Sequence, residues 1–324
     1  MQPRLTGIAV SALLAFASGA LAQTADYPGK PVTVIAPAAA GNSPDVAMRL
    51  VADRLGALWK QQVVVINRPG AGGLVAAEAA AGAPKDGYTL YMAQASTFTV
   101  LPIMQDKMPI DLHRSFTPIG LIGEQPIAVS VSNALRVNTL PELIALIKKT
   151  PGGMLFGATN RGGQSHLTGE LLRMRANVDL IFVHAQGAAA SLADLIAGRI
   201  PVMFEGIAGV SGAMKSGSIK VIAIGAANRL PDYPDLPTVA ETIPGFESKG
   251  WLALMAPAGT PDAIVQKINA DLRTVLATDD VKQRFSVIGT YPHALSPPET
   301  AAFIAKEEEL WRPIVREVAV DKKP

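Results

Sequence analysis

Val32-Thr33-Val34-Ile35-Ala36 runs without a break into Pro37-Ala38-Ala39-Ala40-Gly41-Asn42 and then Ser43-Pro44-Asp45. Five mostly apolar and β-branched residues, a small-residue turn and a helix start make a strand–loop–helix unit, the building block of an open α/β sheet. Ser43 reads as the N-cap, Pro44 as the first helical residue and Asp45 as an acid in the first turn. The helix pattern continues through Leu50, Val51 and Leu55. In such sheets a ligand sits beyond the carboxyl ends of the strands, where helix N-termini offer unpaired N–H donors and about half a positive charge. A carboxylate can be held there without a lysine. Ala38, Ala40, Gly41, Asn42, Ser43 and Asp45 therefore form the first candidate binding loop.

The same alternation repeats down the chain. A second strand, Val63 to Ile66, ends in Asn67-Arg68-Pro69-Gly70-Ala71-Gly72-Gly73 before an alanine-rich helix. Tyr88 to Ala93 is the third strand, and by the strand-end rule Ser96, Thr97 and Phe98 should face the cleft. Strands are expected at Ile119 to Ile122 and at Ile127 to Val131. A capping box, Thr139-Leu140-Pro141-Glu142, then opens a helix. After a strand at Leu155 to Thr159, the loop to His166 repeats the first loop's geometry and supplies Thr159, Asn160, Arg161, Gln164 and His166. Arg161 reads either as a two-pronged grip on a carboxylate or as a solvated loop residue. His166, one turn into its helix, reads as a loop brace. Strands at Leu180 to Val183, Pro201 to Phe204 and Ile219 to Ile224 follow, the first leading to Ala185 and the second to Glu205. A return strand at Gly250 to Leu254, a helix after Thr260-Pro261 and a terminal amphipathic helix from Ser296-Pro297-Pro298-Glu299 complete the pattern.

The pattern is α/β with mainly parallel strands. No Gly/Ser/Pro-rich linker separates two halves, which suits two lobes joined by strand crossovers. The expected division is 23–126 with 249–324 for the first lobe and 127–248 for the second.

Composition narrows the function. The chain has 324 residues, with 29 Lys and Arg against 27 Asp and Glu, no cysteine and four histidines. Arg4, the apolar run from Leu5 to Ala17 and Ala20-Leu21-Ala22 read as a signal peptide over residues 1–22, cleaved after Ala22 to release the chain into the periplasm. Losing Arg4 and no acid takes the net charge from +2 to +1, which gives no footprint for nucleic acid or an anionic membrane. Without cysteine there is neither a disulfide framework nor a lipid-bearing residue at the cleavage site. Four scattered histidines give no metal-ligand cluster, and no cofactor is expected.

Several pieces in order carry a resemblance: Pro37 to Arg49, Asn67 to Gly73, Pro84-Lys85-Asp86-Gly87-Tyr88-Thr89-Leu90, Leu236-Pro237-Thr238-Val239-Ala240-Glu241 and Ala256-Pro257-Ala258-Gly259-Thr260-Pro261. Together they resemble the Bug-type solute receptors of tripartite tricarboxylate transporters, over nearly the whole chain after residue 22. The resemblance implies a type II periplasmic-binding-protein fold, two lobes around a cleft, an organic acid as ligand and a membrane permease as partner. The first loop of that family usually reads Pro-Phe-x-x-Gly-Gly-x-x-Asp, and here Ala38 stands at the aromatic position and Asn42 at the second glycine. In the second loop, usually Ser-x-Gly-x-Gly-Thr-x-x-His, Thr159, Gly162 and His166 fit while Asn160 and Arg161 depart. Where the family often shows Pro-Tyr-Lys-Gly, this chain has His184-Ala185-Gln186-Gly187. Two absent rings, at Ala38 and Ala185, predict a pocket for an aromatic mono- or dicarboxylate of terephthalate-like outline, stacked on Phe98.

Catalytic patterns are weaker. Gly70-Ala71-Gly72-Gly73 lacks the strand-end acid of a dinucleotide fingerprint, and Leu167 breaks a nucleophile elbow at Gly163-Gln164-Ser165-His166. The reading is a monomeric binding receptor and not an enzyme. Its rivals are a sensor that hands its closed form to a membrane kinase, and a periplasmic hydrolase using Ser165 and His166.

Overall fold

A computed structural model describes residues 27–320 except Asp106, Thr159, Asn160 and Gln186. The expected signal segment and cleavage site lie outside the described residues, as do the binding-loop candidates Thr159 and Asn160. The first sheet has β1 (Val32–Ala36) between β2 (Val63–Asn67) and β3 (Thr89–Gln94), all parallel. In the second, β5 (Met154–Ala158) lies parallel to β6 (Leu180–His184) on one side and β7 (Val202–Gly206) on the other.

Two long strands join these sets. β4 (Phe116–Ser132) pairs antiparallel with β9 (Lys249–Pro257) up to Pro126, and from Ile127 onward with β7 and β8 (Ile219–Ile224). The expectation of two strands at Ile119 to Ile122 and Ile127 to Val131 is corrected: Pro126 does not end the strand, because its neighbour Lys249 asks for no ladder donor there. The sheets are also less parallel than expected, since β9 is antiparallel to both β3 and β4. A chain that crosses between lobes on continuous strands returns antiparallel to itself.

These pairings fix where the strand ends point. β3 and β4 share a direction, each being antiparallel to β9, so β1, β2 and β3 run towards the second sheet. β7 is antiparallel to β4, so β5, β6 and β7 run back towards the first. The two sets of carboxyl ends therefore face each other. Gln94, at the end of β3, lies level with Leu252 and hence Gly123, while Gly206, at the end of β7, lies level with Ile127. Four residues of strand separate these levels, roughly 13 Å.

Helices cover both faces of each sheet, which is why the parallel strands read as near-continuous apolar runs. On one side of β1, Val32, Val34 and Ala36 pack with Met48, Val51 and Leu55 of α1 (Ser43–Trp59). On the other, Ile35 packs with Ala76, Ala77 and Ala80 of α2 (Leu74–Ala81). The terminal helix, Pro297–Val320, differs from expectation. Ile304 sits in the first lobe's core, but Trp311, Ile314, Val315 and Val318 sit in the core built on β5 and β7. Its last three turns therefore contribute to the core of the second sheet.

Candidate functional site

The first loop holds its shape through Asp45. Its buried carboxylate accepts hydrogen bonds from Gly41 N–H (2.8 Å), Arg49 Nε (3.0 Å) and Asn67 Nδ2 (2.7 Å). Asn67 Nδ2 also reaches the Ala38 carbonyl, 3.0 Å away. Burial works against this charge, but the Arg49, Asn67 and Gly41 hydrogen bonds and the Arg49 charge outweigh it and hold the carboxyl below the ordinary range. The N-cap is Asn42, whose side chain accepts from Asp45 N–H at 3.0 Å, and not Ser43. The extended Asn42 is better placed, because Pro44 then falls at the second helical position, where its missing N–H costs nothing. Asp45 is thus a brace of the loop, its carboxylate held by three donors of the protein itself. Asn67, which sequence reasoning missed as a site residue, ties the loop to β2. Its place as the last residue of a strand beside the loop was the available signal.

Of the other first-lobe candidates, Ala40, Gly41 and Asn42 are exposed, while Ser43 and Ser96 are half-buried. Ala38 is 3% exposed and packs in the core with α1, since the strand geometry carries it inward after Pro37. Thr97 is fully buried and donates to the Gly72 carbonyl at 3.2 Å. Phe98 is 4% exposed, packs on Trp251 and His113, and lines a cavity of about 550 Å³ against the terminal helix. Ala38 and Thr97, expected along the cleft, are thus buried in packing, while Phe98 packs in the core and lines that cavity. The glycine loop before α2 serves packing too. Gly73 has φ +101°, and a Cβ there would lie 2.4 Å from Thr97 Oγ1.

The second sheet presents a different arrangement. Helices Gln164–Ala176, Ala188–Ile196 and Ile207–Lys215 follow β5, β6 and β7, and their N-caps are Gly163, Gly187 and Gly206. None of the three helix starts has a side-chain cap. A Cβ at Gly187 or Gly206, like one at Gly41 in the first loop, would meet nothing within 4 Å. Three helix starts thus bring backbone N–H groups to one sheet edge, two of them beside open space, an arrangement suited to an anion.

One acid already stands there. Glu205, half-buried on β7, accepts from its neighbour Gly206 N–H at 2.9 Å and faces the Ser165 hydroxyl at 3.5 Å. Burial raises its carboxyl above the ordinary range despite these two hydrogen bonds. Gln164 donates to Ser248 Oγ at 3.2 Å, linking the helix start to the segment just before β9. Ser248, a second residue the sequence reading missed, also contacts Thr168 Oγ1 at 2.6 Å.

His166 is 1% exposed, its Nδ1 accepts from Gly162 N–H at 3.0 Å, and its ring packs between Phe156 and Phe182. It braces the loop through this contact. Ser165 turns to Glu205 and His166 to Gly162, so the pair lacks the nucleophile–base contact a hydrolase needs. Arg161 is exposed and lies over the Phe182 ring, 5.6 Å from its centre, in a basin shared with Glu170, Arg173 and Glu317. That places it towards the outer strand β6. Ala185 is 8% exposed, and its N–H donates to the Ala158 carbonyl at 3.0 Å. Among the described residues no group of three His, Cys, Asp or Glu is arranged to hold a metal, and no helix is long and apolar enough to cross a membrane.

Comparisons with known proteins agree on one family. The family described as "Tripartite tricarboxylate transporter family receptor" matches residues 47–320. Protein BugT of Bordetella pertussis is 31% identical over 92% of this chain and 92% of its own. Among solved structures, an R. palustris protein determined with adipate is 30% identical, with a TM-score of 0.77 over 91% of this chain and 98% of its own. The periplasmic binding protein BugD is 28% identical, with a TM-score of 0.73 over 91% and 99% of the two chains.

Proposed function

The chain belongs to the tripartite tricarboxylate transporter receptor family, and we propose that it captures a small aliphatic carboxylate between the facing strand ends of its two sheets. The observation that carries this reading is the facing of the two sets of strand ends, with the loop at Gly41 on one side and the helix starts at Gly187 and Gly206 on the other, all beside open space. As a member of that family it is a binding receptor, working in the periplasm for a membrane transporter, and not an enzyme. Cleavage after Ala22 would deliver it there.

Ligand groups at Ala40, Gly41, Asn42, Ser43 and Ser96 on one side, and at Arg161, Gln164 and Glu205 on the other, would be contacted together only when the lobes close. Closure is then driven by contacts unique to the closed state. The continuous strand β4 and its partner β9 would act as the hinge, dividing the chain near Pro126 and Lys249. An aliphatic ligand is favoured over an aromatic one because Ala38 and Ala185 are buried, so the places of the two absent rings are closed. The R. palustris relative solved with adipate supports the aliphatic class.

A thermal-shift panel of C4 to C6 aliphatic acids and of benzoate and phthalate isomers tests this. At a hundredfold excess over its Kd a ligand stabilises by about 2.7 kcal/mol. Shifts confined to the aromatic acids would overturn the aliphatic reading, and no shift with any acid would overturn carboxylate capture itself.

A further inference from the structure

We propose that Glu205 makes the second lobe a reader of hydrogen-bond donors, so that the ligand is an acid with one carboxylate whose other end carries a hydroxyl or ammonium group. This rests on the carboxylate-capture reading and narrows it.

The argument starts from what already occupies the helix starts. Glu205 accepts the N–H of Gly206, the cap of the helix after β7, and its other oxygen faces Ser165 in the first turn of the helix after β5. The protein's own carboxylate thus occupies the Gly206 N–H and faces the Ser165 hydroxyl at this edge of the sheet. No lysine, arginine or histidine among the described residues forms an ion pair with it. A second ligand carboxylate placed here would meet a like charge at close range in a partly desolvated site, which is unfavourable without a cation between them. A hydroxyl or ammonium group finds the reverse: an acceptor held in place and otherwise under-used. In the first loop the protein's own groups also take donors, Asn42 Oδ1 the Asp45 N–H and Asp45 Oδ2 the Gly41 N–H, but there the acid is paired with a cation, Arg49. Asp45, the loop's only acid, is turned inward, with Gly41 N–H, Arg49 and Asn67 filling its acceptors. The ligand's carboxylate therefore belongs at the first lobe and its donor group at the second.

Distance agrees with this division. The ends of β3 and β7 lie four residues apart along β4, roughly 13 Å, a gap that a ligand of four to six carbons can span together with the loops and side chains that reach into it. Glu205 itself is half-buried and sits beside Gly206, where a Cβ would enter open space, so a ligand atom can reach its carboxyl.

The experiment is calorimetry on the wild-type chain and on Glu205→Gln. The probes are length-matched: succinate, 4-hydroxybutyrate and 4-aminobutyrate, then adipate, 6-hydroxyhexanoate and 6-aminohexanoate. In the better-fitting series the wild type should bind the hydroxy or amino acid at least about tenfold more tightly than the dicarboxylate. Glu205→Gln keeps an acceptor for Gly206 N–H and removes the charge, so it should narrow or reverse that ranking by gaining affinity for the dicarboxylate. A melting curve matching the wild type checks that the variant folds. Preference of the wild type for the dicarboxylate, or an unchanged ranking in the variant, would overturn the role of Glu205 and leave carboxylate capture standing. Failure of every probe to bind the wild type would overturn both.

Discussion

Lys249 Nζ lies 2.8 Å from Glu124 Oε1 in the last turn of sheet that β4 and β9 share before β4 crosses to the second lobe. The same ammonium is 2.8 Å from Glu247 Oε2 and sits over the Phe303 ring. Glu124 in turn meets His293 Nδ1 at 3.1 Å. Glu307, on the terminal helix, is 4% exposed in the same cluster. One buried cation therefore serves several acids where three elements cross.

That arrangement predicts a large cost for removing the cation. Lys249→Met preserves the length and much of the packing but leaves Glu124 and Glu247 with less compensation in a desolvated site. Breaking one partner from a buried pair costs about 3–5 kcal/mol. Urea unfolding near neutral pH measures it, and a loss below about 1 kcal/mol would mean that water relieves the acids.

The Glu307 carboxyl gives the cluster a pH dependence. Burial pushes it up to about 7, with Glu124 and Glu247 adding to the rise and Lys249 and the Trp311 N–H opposing it. In the unfolded chain it ionises near 4.5. The native state therefore holds the extra proton between these values. Its contribution is complete below the lower value and is lost as pH rises through the upper one, a change on the order of 3 kcal/mol. Glu307→Gln keeps an acceptor for Trp311 and cannot ionise. It should match the wild type near pH 4.5 and exceed its stability by that amount near pH 8.5. Parallel stability–pH curves for the two proteins would refute the shift.

The sequence carried the strand–loop–helix rhythm clearly, because each apolar run ends in a glycine or a cap that local physics demands. It placed β1 correctly at Val32 to Ala36 and the loop after it at the right edge of the sheet. What it did not carry was direction of burial. Ala38 and Phe98 look like cleft residues by position, but whether a side chain after a strand end turns inward depends on what the opposite helix offers, and only tertiary packing decides that. The single strand from Phe116 to Ser132 was hidden for a related reason: Pro126 reads as a break when its partner strand is unknown. The role of Asn67 was similarly unreadable, since its partners Asp45 and Ala38 lie more than twenty residues away.

The first loop should depend on the Asp45 charge. Asp45→Asn exchanges an acceptor of three hydrogen bonds, one of them from a guanidinium, for an amide with a single acceptor oxygen. A hydrogen bond to a charged group is worth about 1.5–3 kcal/mol. Because the Asp45 carboxyl is held below its ordinary value of 3.8, its stabilisation is present above that pH and fades as pH falls through the lower native value. The variant should be less stable near neutral pH and converge on the wild type in acid. Its affinity for the aliphatic acids should also fall, since Gly41 and Ala38 lose the anchor that shapes the loop. Undiminished stability at neutral pH would show that Asn67 and Arg49 hold the loop without the charge.

The terminal helix supplies the last test, because its two halves belong to different cores. Trp311 is 1% exposed among Leu167, Leu171 and the other side chains packed beneath β5 and β7, and its N–H donates to Glu307 at 3.3 Å. Ile304, two turns earlier, packs beneath β3 and β9. Trp311→Ala should therefore cost about 3–5 kcal/mol, the usual price of emptying a buried aromatic site. The location of the damage is more telling than its size. If the end of the helix is part of the second core, amide hydrogen exchange should speed first in β5 and β7, while β1, β2 and β3 keep their protection until global unfolding. Ile304→Ala should produce the opposite distribution, with a smaller loss because less surface is removed. Equal exchange in both sheets for both variants would mean that the lobes unfold as one unit. A helix tied to both cores would then hold them together too tightly for a hinge at Pro126 to open without breaking its own packing.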